Sequence, residues 1–231
     1  MISFLETHAF SIFITVAVFF LSQKIYLRFK YFWLNPVMIS IIFLMIYIKL
    51  TGIPYSTYFE GGKIISFFLG PSVVALGVPL YLQLEEIRKR GISILVSILV
   101  GSISGIINAA GLAFFMGGSR EVIVSIVPKS VTTPIAMGIS EKLGGIPSLT
   151  AAIVIATGIL GAVMGPVFLR LLKVKNGVPF GLAMGAASHG IGTSRAIEEG
   201  EIEGATGGLA ICLNGVATAI LTPIFIKIFP L

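Results

Sequence analysis

Hydrophobic and polar positions alternate along this chain in long blocks. Apolar runs of about 15 to 26 residues predict helices that cross a membrane at 4–21, 36–50, 64–82, 92–116, 147–172 and 204–229. The first run resembles a secretory signal in length, but it lacks a basic start and carries Glu6 and His8, so it reads as the first span. The third contains Gly70-Pro71 and Pro79 and is expected to kink. Residues 51–62, 84–90 and 117–121 read as loops, the first with Tyr55, Tyr58 and Phe59 at an interface. Arg170, Lys173 and Lys175 end the fifth span, and Glu198, Glu199, Glu201 and Glu203 form an acidic loop before the last.

Two segments break this pattern. In 122–144, two short apolar runs flank Pro128, Lys129, Ser130, Thr132, Thr133 and Pro134. Each proline removes a backbone donor and disfavours helix just before it, so one helix should stop near Val127 and another start near Pro134. In 178–196 the polar centre is Ser188-His189-Gly190-Ile191-Gly192-Thr193-Ser194-Arg195. Irregular backbone at membrane depth survives only where protein or a water-filled cavity surrounds it, and such interruptions point to transport sites.

A shift of 57 residues, the offset from Glu141 to Glu198, superimposes the two broken segments and the spans behind them. Gly158 then meets Gly215, Ala162 meets Ala219, Pro166 meets Pro223, Phe168 meets Phe225, and Thr157 meets Asn214. Basic residues gather on the cytoplasmic side, so Lys24, Arg28, Lys30 and Arg88-Lys89-Arg90 belong inside. Arg170, Lys173 and Lys175 join them only if 122–144 enters and returns without crossing. One unit then holds a single crossing, and the second unit is inverted. The expected fold is an all-α polytopic membrane protein: about six spans, two interrupted, re-entrant segments and an inverted repeat in the C-terminal half. Residues 1–116 would be a four-span scaffold and 117–231 a transport-like region.

Composition agrees. Of 231 residues 56% are hydrophobic and 11% charged, against roughly 25% charged in soluble domains. The net charge of +6 sits in loops and reads as membrane topology, not nucleic-acid binding. Cys212 is the only cysteine and is expected to pack in its span; with just His8 and His189 beside it, no metal cluster is expected. All ten acids are glutamates, and each falls in a loop or near an element's end.

The runs Pro128-Lys129-Ser130-Val131-Thr132-Thr133-Pro134-Ile135-Ala136 and Ser188-His189-Gly190-Ile191-Gly192-Thr193-Ser194-Arg195-Ala196, with Leu69-Gly70-Pro71 and Val78-Pro79-Leu80-Tyr81, resemble the LrgB/CidB family. That family covers bacterial antiholin-like proteins and the C-terminal half of the plastidal glycolate/glycerate translocator. The resemblance implies a small LrgA/CidA-type membrane partner. It also implies one of two functions: transport of small monocarboxylates such as pyruvate or glycolate, or modulation of murein hydrolase activity and lysis.

Charge sign separates the substrate classes. A cation carrier built on carboxylates needs an acid at mid-membrane, whereas the breaks offer Lys129, Ser130, Thr132, Thr133, Ser188, His189, Gly190, Thr193 and Arg195. With helix N-termini near Pro134 and Thr193, these form the expected binding set for a small carboxylate anion. Asn108 and Asn214 are expected to hydrogen-bond between helices. No Ser/His/Asp set or cofactor motif is present, so an enzyme is not expected. The expected setting is the plasma-membrane bilayer, with the chain as a homo-oligomer.

Overall fold

The structure, a computed structural model, describes residues 7–29, 31, 34–68, 71, 81 and 84–229, those of 84–90 by backbone alone. Among them are nine helices and no strand. We number these α1 (His8–Phe29), α2 (Pro36–Thr51), α3 (Tyr55–Phe67), α4 (Leu84–Phe115), α5 (Arg120–Ile126), α6 (Thr133–Lys142), α7 (Pro147–Leu171), α8 (Gly177–Glu199) and α9 (Glu201–Ile228). The chain forms two compact units, Met1–Ser72 and Val73–Leu231.

In the first unit α2 starts where Asn35 Oδ1 accepts from Val37 N–H at 3.0 Å, with Pro36 in the first turn, and ends on Gly52 at φ 69°. The expected loop 51–62 is mostly helix: Pro54, its φ already fixed near the helical value, leads into α3. Helix α3 packs on α1 so closely that a Cβ on Gly61 would stand 2.7 Å from His8 O. The hydroxyls of Thr15 and Tyr58 share a hydrogen bond of 2.6 Å there. Of the residues that read as a loop, Tyr58 and Gly61 belong to this interhelical seam, while Ser56 and Glu60 are exposed.

Among the described residues, four helices are long and apolar enough to cross a membrane: His8–Phe29, Gly91–Phe115, Pro147–Leu171 and Glu201–Ile228. Pro36–Thr51 is a shorter apolar helix. Most of the expected third span, with Gly70, Pro79 and the motif residues Leu69 and Val78 to Leu80, lies outside the described residues. Residues 84–90, read as a loop, continue α4 as helix.

Glu198 and Glu199 end α8, Glu201 and Glu203 open α9, and Gly200 between them is extended, so the acidic loop reduces to one residue. Arg170, at the end of α7, donates to Glu199 Oε2 at 2.5 Å.

In the second unit the helices that matter most are short. Seven residues of α5 and ten of α6 reach about 10 and 15 Å, less than the roughly 30 Å of hydrocarbon. Ser119 Oγ accepts from Val122 N–H to start α5, and Pro134 stands in the first turn of α6. After α6 the chain returns beside its own beginning. Ile146 N–H donates to Ser125 Oγ at 2.7 Å, and a Cβ on Gly144 would lie 3.9 Å from Arg120 Nη1. Residues 120–142 therefore form a hairpin whose two ends lie together, the shape that the expected re-entrant segment requires.

Helix α8 is a second hairpin. Its backbone leaves helical geometry at Ser188 (φ −132°, ψ 15°) and His189 (φ 43°, ψ −135°). Before the break α8 runs along α9, Gly181 against Glu203 and Gly185 against Gly207. After it the chain comes back, Thr193 against Gly207 and Ile197 against Gly204. Both arms thus lie beside the first half of α9.

Candidate functional site at the meeting of two helix breaks

Helix α7 is a ruler for both hairpins. Near its start Thr150 donates to Ser140 Oγ of the first hairpin at 2.8 Å. Val131 and Ala136, around the first break, pack against Val154. From there the second hairpin takes over: His189 Nε2–H donates to the Val154 carbonyl at 3.0 Å, Gly161 seats Ser188, Gly165 seats Met184, and Arg170 reaches Glu199. The order reverses along α9. Its first half carries the second hairpin, Gly215 meets Ile135 of the first, and Phe225 packs on the cluster containing Ile123 and Val127.

The two tips therefore approach from opposite ends of α7 and α9 and meet at Val154 and Asn214. This is the geometry of an inverted repeat. The repeat partners Gly158 and Gly215 behave alike: a Cβ on Gly158 would stand 2.9 Å from Ile191 Cδ1, and one on Gly215 the same distance from Ile135 Cδ1. Each glycine lets its span seat the residue just beyond the other unit's break.

Beside the meeting point lies a cavity of about 460 Å³. One side is α4 (Ser97, Ile98, Val100, Gly101 and Gly105), another the incoming arm of α8 (Pro179, Leu182, Ala183, Ala186 and Ala187), and the inner end carries Lys129 and Ser130. Lys129 is half-buried and its Nζ donates to Ser130 Oγ at 3.2 Å. No carboxylate lines the cavity or pairs with Lys129 among the described residues. A cation at membrane depth costs about 2.5–3.5 kcal/mol even on insertion scales, so it calls for an anionic counterpart. The remaining walls are almost wholly apolar.

A model of the LrgB-like family matches residues 15–228. The chain belongs to that family. The "Uncharacterized protein YxaC" of Bacillus subtilis (strain 168) is 37% identical over 218 residues, covering 94% of this chain and 95% of that protein. The "Antiholin-like protein LrgB" of Bacillus cereus (strain B4264) is 36% identical over 195 residues, covering 84% and 85%. No solved structure matches. Membership of this membrane family agrees with the apolar helices, and the all-helical fold with inverted hairpins is how this LrgB-family chain builds its centre.

Of the residues singled out by sequence, Lys129 and Ser130 reach the cavity. Thr132 and Thr133 stand at the start of α6, where Thr132 Oγ1 is buried without a partner. Ser188 and His189 form the second tip, wedged against Gly161 and Gly158, and Gly190 follows with open space beside its Cα. Thr193 is buried on Gly207, its Oγ1 also unpartnered. Arg195 lies away from the tips: it donates to Glu198 Oε2 and Glu199 Oε1, each at 2.5 Å, in a network completed by Arg170.

Cys212 is buried, as expected. Asn108 is exposed and its Nδ2 donates to Ser104 O of its own helix at 2.7 Å, and the expected interhelical bond is not formed among the described residues. Asn214 does make the expected interhelical bonds, to Ser102 of α4, Ser130 of the first tip and Ala186 of α8.

Proposed function

We propose that this LrgB-family chain is a secondary carrier of small monocarboxylates such as pyruvate or glycolate. The observation that supports this reading is Lys129 with Ser130 at the inner end of an otherwise apolar cavity, free of any carboxylate among the described residues. An ammonium, a hydroxyl and apolar walls suit a compact monoanion with a short hydrocarbon body, and a single cation suits one carboxylate better than two. Two tips inserted from opposite ends of the same spans give such an anion a site reachable from either side by small hairpin movements. On this reading binding and passage are the chain's work, and no bond of the solute is made or broken.

We expect the protein in the plasma membrane, as a homo-oligomer working with a small LrgA/CidA-type membrane protein. The printed name of the Bacillus cereus relative favours a second reading, antiholin-like control of murein hydrolase activity and lysis. Uptake separates the two. Proteoliposomes of the purified chain, with and without the LrgA-type partner, are given radiolabelled pyruvate or glycolate. Saturable uptake that falls at least tenfold in Lys129→Ala is the expected result; uptake no greater than in empty vesicles under every condition contradicts the carrier reading.

A further inference from the structure

We infer that Asn214 is the positioning residue that locks the two hairpin tips to each other and so holds the cavity in shape. The inference rests on the carrier reading only for its consequence for anion binding. Asn214 lies on α9 at the level where the tips meet and is 1% exposed. Its amide nitrogen has two hydrogens, and the structure uses both across the repeat. One goes to Ser130 O of the first tip at 3.0 Å, the other to Ala186 O of the second at 2.9 Å. Both acceptor residues line the cavity.

The amide oxygen faces the other way. It accepts from Ser102 Oγ on α4 at 2.6 Å and more distantly from Thr218 at 3.5 Å. The two tip carbonyls fix which end of the amide faces them, because a flipped amide would aim its oxygen at both. Ser102, whose single hydroxyl hydrogen also has Ile98 O at 2.8 Å, supplies the nearest donor on the other side. A helix break leaves carbonyls without their intrahelical donors, and an unmet buried acceptor is costly. The single amide meets one such need in each hairpin. Neither tip can shift without straining a bond on which the other's position depends.

Hydrogen exchange read by mass spectrometry tests this without reference to any solute. Asn214→Asp keeps the size and the oxygen facing Ser102 but replaces the double donor. We expect exchange at residues 128–133 and 186–191 to rise together by about tenfold, with the outer turns of α9 unchanged. If Asn214→Asp does not fold, Ser102→Ala, which strips the buried amide oxygen of its nearest donor and loosens the amide's seat, should raise both tips several-fold. Wild-type exchange at either tip in the folded variant overturns the inference.

Pyruvate binding to purified protein gives the functional arm. Asn214→Asp and Lys129→Ala should each weaken it about tenfold, and the double variant should lose much less than the product of the two, because Asn214 acts through the Lys129 tip. Independent, multiplying losses contradict that coupling. Absence of pyruvate and glycolate binding in the wild type sinks the carrier reading alone, since the exchange result still decides the role of Asn214.

Discussion

At the scale of single residues, two kinds of position carry the account. Lys129 is a charge kept in an apolar region, and hydrogen bonds to a charged group are worth about 1.5–3 kcal/mol each. Lys129→Ala should therefore weaken carboxylate binding roughly ten- to a hundredfold at near-normal expression. Lys129→Arg should restore it only in part, since a planar fork replaces a compact ammonium. Equal affinity in wild type and Lys129→Ala, measured by calorimetry, would mean the anion is held elsewhere. The glycines are the second kind. A Cβ on Gly158 would stand 2.7 Å from His189 Cε1, whereas at Gly208 nothing lies within 4 Å. Gly158→Ala should lower thermal stability in detergent by about 1–3 kcal/mol through overpacking. Gly208→Ala should leave it unchanged or raise it by up to ~1 kcal/mol, the helix preference of alanine over glycine. Similar melting of the two variants would show that hairpin seating does not depend on Gly158.

At the scale of elements, the breaks were the legible part. Paired prolines around Lys129, the polar centre at His189 and the 57-residue offset from Glu141 to Glu198 mark two interrupted units. The structure makes each a hairpin whose ends lie together, as Ile146 on Ser125 records for the first, and Gly181 on Glu203 with Ile197 on Gly204 for the second. What misled was polarity read as loop. Residues 55–62 are helix, with Tyr58 and Gly61 against α1, and the glutamates around Gly200 end one helix and begin the next. Glu198 and Glu199, read as loop, lie on the same helix as Arg195, three and four residues on, and pair with it. Asn214 is legible as an interhelical hydrogen-bonding residue, but that its three distant partners, Ser102, Ser130 and Ala186, include both tips leaves no local pattern in the sequence.

The hairpin geometry also fixes an accessibility experiment. In a Cys212→Ser background, single cysteines replace Ser119 and Glu141 around the first hairpin, and Asn176 and Glu198 around the second. An impermeant thiol reagent should label the first pair only from outside the cell and the second only from inside. If Ser119 and Glu141 react from opposite sides, 122–144 crosses the membrane and the inverted arrangement fails.

At the scale of the whole molecule, the second unit places two short hairpins tip to tip between long spans, with a charged, otherwise apolar cavity beside the junction. A fixed pore and a carrier differ in what that junction must do. In a carrier the hairpins take turns in exposing the cavity, so a solute on one side drives exchange with the other. The measurement that bears most directly on this is counterflow in proteoliposomes preloaded with unlabelled pyruvate and diluted into a trace of labelled pyruvate. A carrier of this design should show a transient accumulation of label above its equilibrium level, lost in Lys129→Ala and diminished in Asn214→Asp. Label that only rises to equilibrium in wild-type vesicles, or does not enter them, would contradict it.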